Sequence, residues 1–101
     1  MNTIDYTNED MIQLQNKTEE IIKCVCEDMS DFLIEKNRKY GNSAMNPVRI
    51  FSKASDVEQL FVRMDDKLSR IRTSNPEDLE DSILDLAGYM VIYMAKRRLS
   101  E

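Results

Sequence analysis

The stretch ILDLAGYMVIYMA, residues 83–95, decides the fold of this chain. It is apolar on nearly every helical face, yet it holds one carboxylate, Asp85, and one glycine, Gly88. A helix that is apolar nearly all round is usually buried on all sides. A chain of 101 residues is too short to cover such a helix alone, so the stretch predicts the shared core of a homodimer or homotetramer.

Upstream of this stretch, a first helix is predicted from Asn8 to Arg38. Thr7 followed three residues later by Asp10 is a helix-start signal, and apolar residues then recur at helical spacing. Gly41 ends this helix because glycine readily adopts the left-handed conformation. We expect residues 1–7 to be disordered or frayed and residues 41–54 to form a long ordered loop.

A capping box at Ser55 and Glu58 opens a second helix, predicted over residues 56–72. The segment SNPEDLED then places Asn75 at a cap position and Pro76 at the first position of a third helix, predicted to end near residue 98. The whole chain, residues 1–101, is therefore predicted to be a single all-α domain. Its three-helix subunit is expected to assemble into a helical-bundle homo-oligomer.

Composition excludes several classes of protein. The chain is 42% hydrophobic and 33% charged, with two glycines and two prolines, which is typical of a helix-rich globular protein. No run approaches the roughly 18 apolar residues that span a bilayer, so we expect a cytoplasmic protein without a membrane partner. Cys24 and Cys26 lie two apart on a helix and cannot bridge each other.

Charge is unevenly distributed along the chain. Residues 1–34 carry eight acids and two bases, whereas residues 35–72 carry nine bases and five acids. The formal net charge is −5. A local basic region in an acidic protein suits a small anionic ligand better than a long nucleic acid, which the acidic remainder would repel.

Asp81 and Asp85 lie four residues apart, so their carboxylates share one face of the third helix. Two neighbouring like charges favour a compensating cation. One interpretation is that Asp85 forms a structural ion pair with Arg63 or Lys67 when the second and third helices pack. The other is that Asp81 and Asp85, with Asp65 or Glu58, hold a divalent metal such as Mg²⁺.

The basic segment KNRKYGNSAMNPVRIFSKASD, residues 36–56, ends at the capped start of the second helix. Cations beside free backbone amides form an anion site. The alternative is a solvated loop whose charges keep it soluble. Gly88 and Tyr89 present a similar choice between close helix packing and contact with a planar group such as a nucleobase.

Three motifs together resemble a known family: KYGNSA at residues 39–44, EQLFVRMDDKLSRI at 58–71 and EDSILDLAGYMVIYMA at 80–95. The resemblance is to the small all-α proteins of tailed phages and related bacteria that are grouped as a nucleotide-modification-associated domain. It covers about residues 30–96. It implies a nucleotide-binding, all-α protein in the cytoplasm of a bacterial host.

That family is similar in turn to the all-α nucleoside triphosphate pyrophosphohydrolases of the MazG type. Those enzymes hold magnesium with an E-x-x-E motif on one helix and an E-x-x-D motif on the next. Here Phe61 stands three residues after Glu58, and the two aspartates of the third helix are spaced by four. Asp65 or Asp66 would have to supply a missing ligand.

Three functional hypotheses follow, the first two from the resemblance and the third from the acidic charge of the first helix. The first is capture, without turnover, of a nucleotide or cyclic oligonucleotide, for example a host antiviral defence signal. The second is Mg²⁺-dependent pyrophosphohydrolysis with Glu58, Asp65, Asp81 and Asp85 as ligands. The third is a protein-interaction module that uses the acidic first helix. Under the first hypothesis the residues implied in ligand binding are Arg38, Lys39, Tyr40, Asn42, Ser43, Arg49, Lys53, Arg63, Lys67, Arg70 and Tyr89.

Overall fold

The computed structural model describes residues 7–47, 49–73 and 75–100. It contains three helices: α1 at Asn8–Lys39, α2 at Asp56–Thr73 and α3 at Pro76–Leu99. The three described ranges contain no β-strand. The all-α fold is therefore confirmed, and each helix ends one residue beyond its predicted end.

Local signals fix both ends of α1. The Thr7 hydroxyl donates to the Asp10 carboxylate at 2.7 Å, and the Asp10 amide donates back to the Thr7 Oγ1 at 3.1 Å. At the other end, Gly41 has φ +61° and Asn42 has φ +63°. Both residues lie in the left-handed region, which terminates a helix and which glycine adopts at least cost. Residues 1–6, predicted to be disordered or frayed, lie outside the described residues.

The N-termini of α2 and α3 are stabilised in different ways. The Glu58 amide donates to the Ser55 Oγ at 3.1 Å, which is the predicted side-chain cap of α2. Asn75 occupies the N-cap position of α3 with extended backbone, but its side chain makes no capping hydrogen bond. Pro76 follows at the start of the helix, where its missing amide hydrogen is not needed. The start of α3 therefore depends on proline geometry and on acidic residues in its first turn.

The chain divides into two compact units, residues 1–34 and residues 35–101. The first unit consists of most of α1, and none of the residues in Asn8–Lys39 is buried. The second unit contains the last turn of α1, the connecting loop, α2 and α3. The sequence predicts a single domain for residues 1–101, and the two units are described separately below.

In the second unit, α2 packs against α3. Leu60 on α2 is 1% exposed, and the Phe61 and Tyr93 ring centroids lie 5.6 Å apart. Ser82 and Gly88 are buried on α3. The side of α3 that carries these two residues therefore lies against the rest of this unit, and the shared oligomer core expected for this helix stays a prediction.

The other side of α3 is apolar and exposed. Asp85, Tyr93 and Lys96 mark the side of α3 that contacts α2. By helical spacing, a second set of side chains lies away from that side. Five of its apolar members are 37–55% exposed: Ile83, Leu84, Met90, Val91 and Met94. We call this set the α3 apolar face. Among the described residues, no helix is long and apolar enough to cross a membrane.

Candidate functional site

The central feature of the second unit is the carboxylate of Asp85, which lies between two lysines. The Lys67 Nζ lies 3.2 Å from Oδ2 and the Lys36 Nζ lies 3.9 Å from Oδ1. The three side chains differ in exposure, at 15% for Lys67, 27% for Asp85 and 44% for Lys36. We call these three residues the Asp85 cluster. Of the two predicted partners, Lys67 forms the ion pair with Asp85.

Lys36 was not predicted to join this cluster. The spacing of Asp81 and Asp85 points to a cation on the neighbouring second helix, whereas Lys36 lies at the end of the first helix. The signal that could have identified it is the basic last turn of α1, which holds Lys36, Arg38 and Lys39. Because α1 ends within the second unit, this turn supplies cations to it.

The Asp85 cluster has an excess of positive charge. Two lysines lie beside one carboxylate, so cations outnumber acids within the cluster. Arg63 precedes Lys67 by one helical turn and is half-buried. Asp81, one turn before Asp85 on α3, is exposed, so water screens its charge more effectively. Such a balance is electrostatically more favourable to an anion than to a divalent cation.

The four carboxylates proposed as magnesium ligands do not form such a centre. Among the described residues, no group of three or more Asp, Glu or Cys side chains is placed to hold a metal ion. Glu58, Asp65 and Asp81 are exposed, and Asp85 faces Lys67. The residues present therefore do not fit a magnesium site of the MazG type, and no chemical step through a metal is derived from them.

A second charged network centres on Asp56 at the start of α2. The Lys96 Nζ of α3 lies 2.8 Å from Asp56 Oδ2, and Arg49 pairs with Oδ1 of the same carboxylate. Arg49 also donates to the Ala54 carbonyl at 3.0 Å, and Lys96 approaches the Met45 carbonyl at 3.4 Å. We call Asp56, Arg49 and Lys96 the loop clamp. Its contacts link Met45, in the first half of the connection between α1 and α2, to α3 and link Arg49, in the second half, to α2.

The sequence did not identify Asp56 and Lys96 as a pair. They lie 40 residues apart, and each has a simpler local explanation. An acid in the first turn of α2 and a base in the last turn of α3 both complement the helix dipole. Only the packing of the two helices shows that the same residues also contact each other.

The predicted phosphate-binding cations fall into two groups. Arg49, Lys67 and Arg70 each pair with a carboxylate, the last with Asp66 on its own helix at 3.4 Å. The other predicted cations have no carboxylate contact described here and, apart from half-buried Arg63, are exposed. They are Arg38, Lys39, Lys53 and Arg63.

The predicted polar and aromatic contacts lie around the end of α1 and on α3. Tyr40 is 56% exposed, and the Lys39 Nζ lies 5.8 Å from its ring centroid, within the range of a cation–π contact. Asn42 is exposed, whereas Ser43 and Tyr89 are half-buried. Tyr40 and Asn42 are therefore accessible to a ligand at the left-handed turn.

The two cysteines offer no site chemistry in this arrangement. Cys24 and Cys26 are both exposed and free on α1. Neither belongs to the Asp85 cluster or to the loop clamp.

The interpretation of the site depends on this geometry. Compared with protein-family models, curated proteins and solved structures, the chain matches none of them. The resemblance of its three motifs to the phage nucleotide-modification-associated proteins therefore stays a prediction. The Asp85 cluster and the loop clamp are the features from which a function can be inferred.

Proposed function

We propose that this chain is a non-catalytic nucleotide-binding protein that works as a homo-oligomer. The observation that carries the proposal is the Asp85 cluster, in which Lys67 and Lys36 surround a single carboxylate. In this proposal a phosphate group of the ligand binds to the lysines beside Asp85. Capture of a phosphate-rich signal, such as a cyclic oligonucleotide used in host antiviral defence, extends the proposal through the motif resemblance.

Electrostatics favours an anion over a metal at this position. A metal-dependent hydrolase needs carboxylates free to coordinate Mg²⁺. Asp85 instead accepts a contact from Lys67, whose side chain is only 15% exposed. Partial burial reduces screening of the lysine charge. A phosphate therefore gains more here than it would from a lysine in bulk solvent, and turnover by metal-assisted attack of water is not expected.

The loop clamp supports the same proposal by ordering the basic connection. Loops of this length that stay ordered are often functional. Asp56 engages Arg49 within the loop and Lys96 on α3, which reduces the entropy that a ligand must remove on binding. Tyr40 at the start of the connection is exposed, and its ring is accessible for stacking with the base of a nucleotide. Inorganic phosphate has no base and would not make this contact.

The α3 apolar face supports the homo-oligomer. Among the described residues, Leu60 is the apolar side chain that reaches full burial, at 1% exposure. Ordering each residue costs roughly 1–2 kcal/mol in backbone entropy, which burial must offset. Full burial of a single apolar side chain is far too small a contribution to offset this entropy cost. Burial of the α3 apolar face against another copy supplies apolar contact that a single chain lacks.

Equilibrium dialysis with labelled nucleoside triphosphates and cyclic dinucleotides tests the site. A charged hydrogen bond contributes roughly 1.5–3 kcal/mol, so Lys67→Gln should weaken binding about tenfold or more. Lys17→Gln is the matched control because it removes the same charge from an exposed position in the first unit. Equal losses in the two variants, or no binding by the unmodified chain, would refute the proposed site.

A further inference from the structure

The acidic helix α1 presents an apolar face that its own unit does not bury. Five apolar side chains recur along it at helical spacing and are 49–56% exposed: Met11, Leu14, Ile21, Ile22 and Val25. We call them the α1 apolar face. An amphipathic helix with such a stripe is typical of one that binds another surface.

Charge identifies which surface is complementary. Residues 1–34 carry eight acids and two bases, so two α1 helices packed together would repel each other. The α3 apolar face instead continues into Arg97 and Arg98, which are exposed bases in the last turn of α3. α3 begins with the acids Glu77 and Asp78, so the charge that complements α1 lies at its basic end. An acidic amphipathic helix therefore matches the α3 apolar face in hydrophobicity along its length and in charge at that end.

The two faces also agree in length. From Met11 to Val25 the α1 apolar face extends about 21 Å at 1.5 Å per residue. From Ile83 to Met94 the α3 apolar face extends about 17 Å on the same basis. A helix of this length can therefore cover the exposed apolar residues of α3 with little left over at either end.

We infer that the α1 apolar face of one copy packs against the α3 apolar face of a second copy. Reciprocal packing, with each copy supplying its α1 to the other, closes the contact into a two-fold dimer and leaves no open end. This inference rests on the homo-oligomer part of the proposed function and specifies which surfaces meet. It does not depend on nucleotide binding.

The test uses two full-length variants and their mixture. Ile22→Glu with Val25→Glu disables the α1 apolar face, and Met90→Glu with Met94→Glu disables the α3 apolar face. The matched control, Gln13→Glu with Asn16→Glu, adds the same charge to the opposite side of α1, where helical spacing places both residues. Sedimentation equilibrium measures the association of each protein, and far-UV circular dichroism measures its helix content.

We expect the unmodified chain and the control to dimerise, and each disabled variant to dimerise at least tenfold more weakly. Mixing the two disabled variants should restore association, because one copy retains an intact α1 face and the other an intact α3 face. Pairing of α1 with α1, or of α3 with α3, would not be rescued by mixing. If the unmodified chain associates but mixing the two disabled variants does not restore association, the inference is overturned. The proposal of a homo-oligomer would then be retained.

Two further outcomes separate this inference from the proposals on which it rests. A monomeric unmodified chain would overturn both the inference and the homo-oligomer. Dimerisation unaffected by either pair of substitutions would overturn the inference alone. Nucleotide binding, measured by dialysis on the same samples, reports separately on the Asp85 cluster.

Discussion

At the scale of single residues, Asp85 combines two roles that its sequence position left open. Its ion pair with Lys67 links α2 to α3, and its negative charge opposes an anion at the same lysine. In the proposed binding mode, a ligand phosphate and Asp85 therefore compete for the Lys67 ammonium group. Because of this competition, the change in nucleotide affinity when Asp85 is neutralised tests whether the phosphate binds at Lys67.

We predict that Asp85→Asn strengthens nucleotide binding while lowering the free energy of unfolding by about 1 kcal/mol or less, as expected for a partly exposed ion pair. Affinity should rise at least about threefold, because a unit charge about 6 Å from a phosphate contributes roughly 0.7 kcal/mol even in water. Isothermal titration calorimetry and urea unfolding measure the two effects. Asp28→Asn, which neutralises an exposed carboxylate in the first unit, is the control.

Weaker nucleotide binding by Asp85→Asn would contradict this account and favour a carboxylate that contacts the ligand through a metal. A double-mutant cycle with Lys67→Gln measures how much of the stability change belongs to the pair. No coupling between the two positions would show that their contact contributes nothing to folding.

At the scale of helices and loops, the start of α1 depends on hydrogen bonds between Thr7 and the titratable carboxylate of Asp10. Hydrogen bonds from the Thr7 side chain and then from the Thr7 backbone hold the pKa of Asp10 below its ordinary value. A lowered pKa means that the cap is fully formed above the ordinary carboxyl pKa of about 3.9. It is lost as pH falls through the lowered value.

We therefore predict that the first turn of α1 frays in acid before the rest of the helix does. Amide resonances of residues 8–11, followed by NMR between neutral pH and pH about 2, should show a transition below the ordinary carboxyl pKa of about 3.9. In Asp10→Asn this transition should be absent because the side chain no longer titrates. Persistence of the same transition in that variant would assign it to another group.

The loop clamp predicts how the connection between α1 and α2 responds to a single change. Asp56→Asn removes the charge shared by Arg49 and Lys96. Local opening should then become easier, with amide exchange in residues 42–46 and 49–55 faster by about tenfold. Hydrogen-exchange mass spectrometry measures this directly.

Asp66→Asn is the control for the exchange measurement. Its partner Arg70 lies on the same helix, and both side chains are more than half exposed. It should leave exchange in the connection unchanged. An equal effect of the two substitutions would show that general charge, and not the clamp, controls the loop.

The ends of the helices could be predicted from sequence because their causes are local. Thr7, Ser55 and Gly41 act through neighbours within a few residues, and the structure places each where its chemistry requires. Asn75 also occupies its predicted cap position, although its side chain makes no capping hydrogen bond. Pro76 and the acidic first turn already satisfy the start of α3, so a side-chain cap is not required.

The site was only partly predictable because its contacts cross the fold. The one-turn spacing of Asp81 and Asp85 indicated a cation on the neighbouring helix, and Lys67 fills that role. The second cation, Lys36, comes from a different helix. Asp56 and Lys96 lie 40 residues apart, and no sequence period connects residues at that distance.

At the scale of the whole molecule, exposed apolar surface and basic charge are the two properties that a function must explain. In our proposals the α1 and α3 apolar faces mediate association between copies, and the Asp85 cluster binds an anion. These properties are compatible because Lys67 and Lys36 lie on the α2 side of α3, whereas the α3 apolar face lies on its other side. A dimer formed through the apolar faces therefore leaves the cluster available to a ligand.

The central claim is binding of a nucleotide without turnover, and the chemical state of the bound ligand tests it most directly. The purified chain is incubated with a panel of nucleoside triphosphates and cyclic oligonucleotides in the presence of Mg²⁺, washed, and denatured, and the released molecules are identified by mass spectrometry. We predict that a nucleotide is recovered intact and only after denaturation. Recovery of pyrophosphate and nucleoside monophosphate, or retention of no nucleotide at all, would contradict the account.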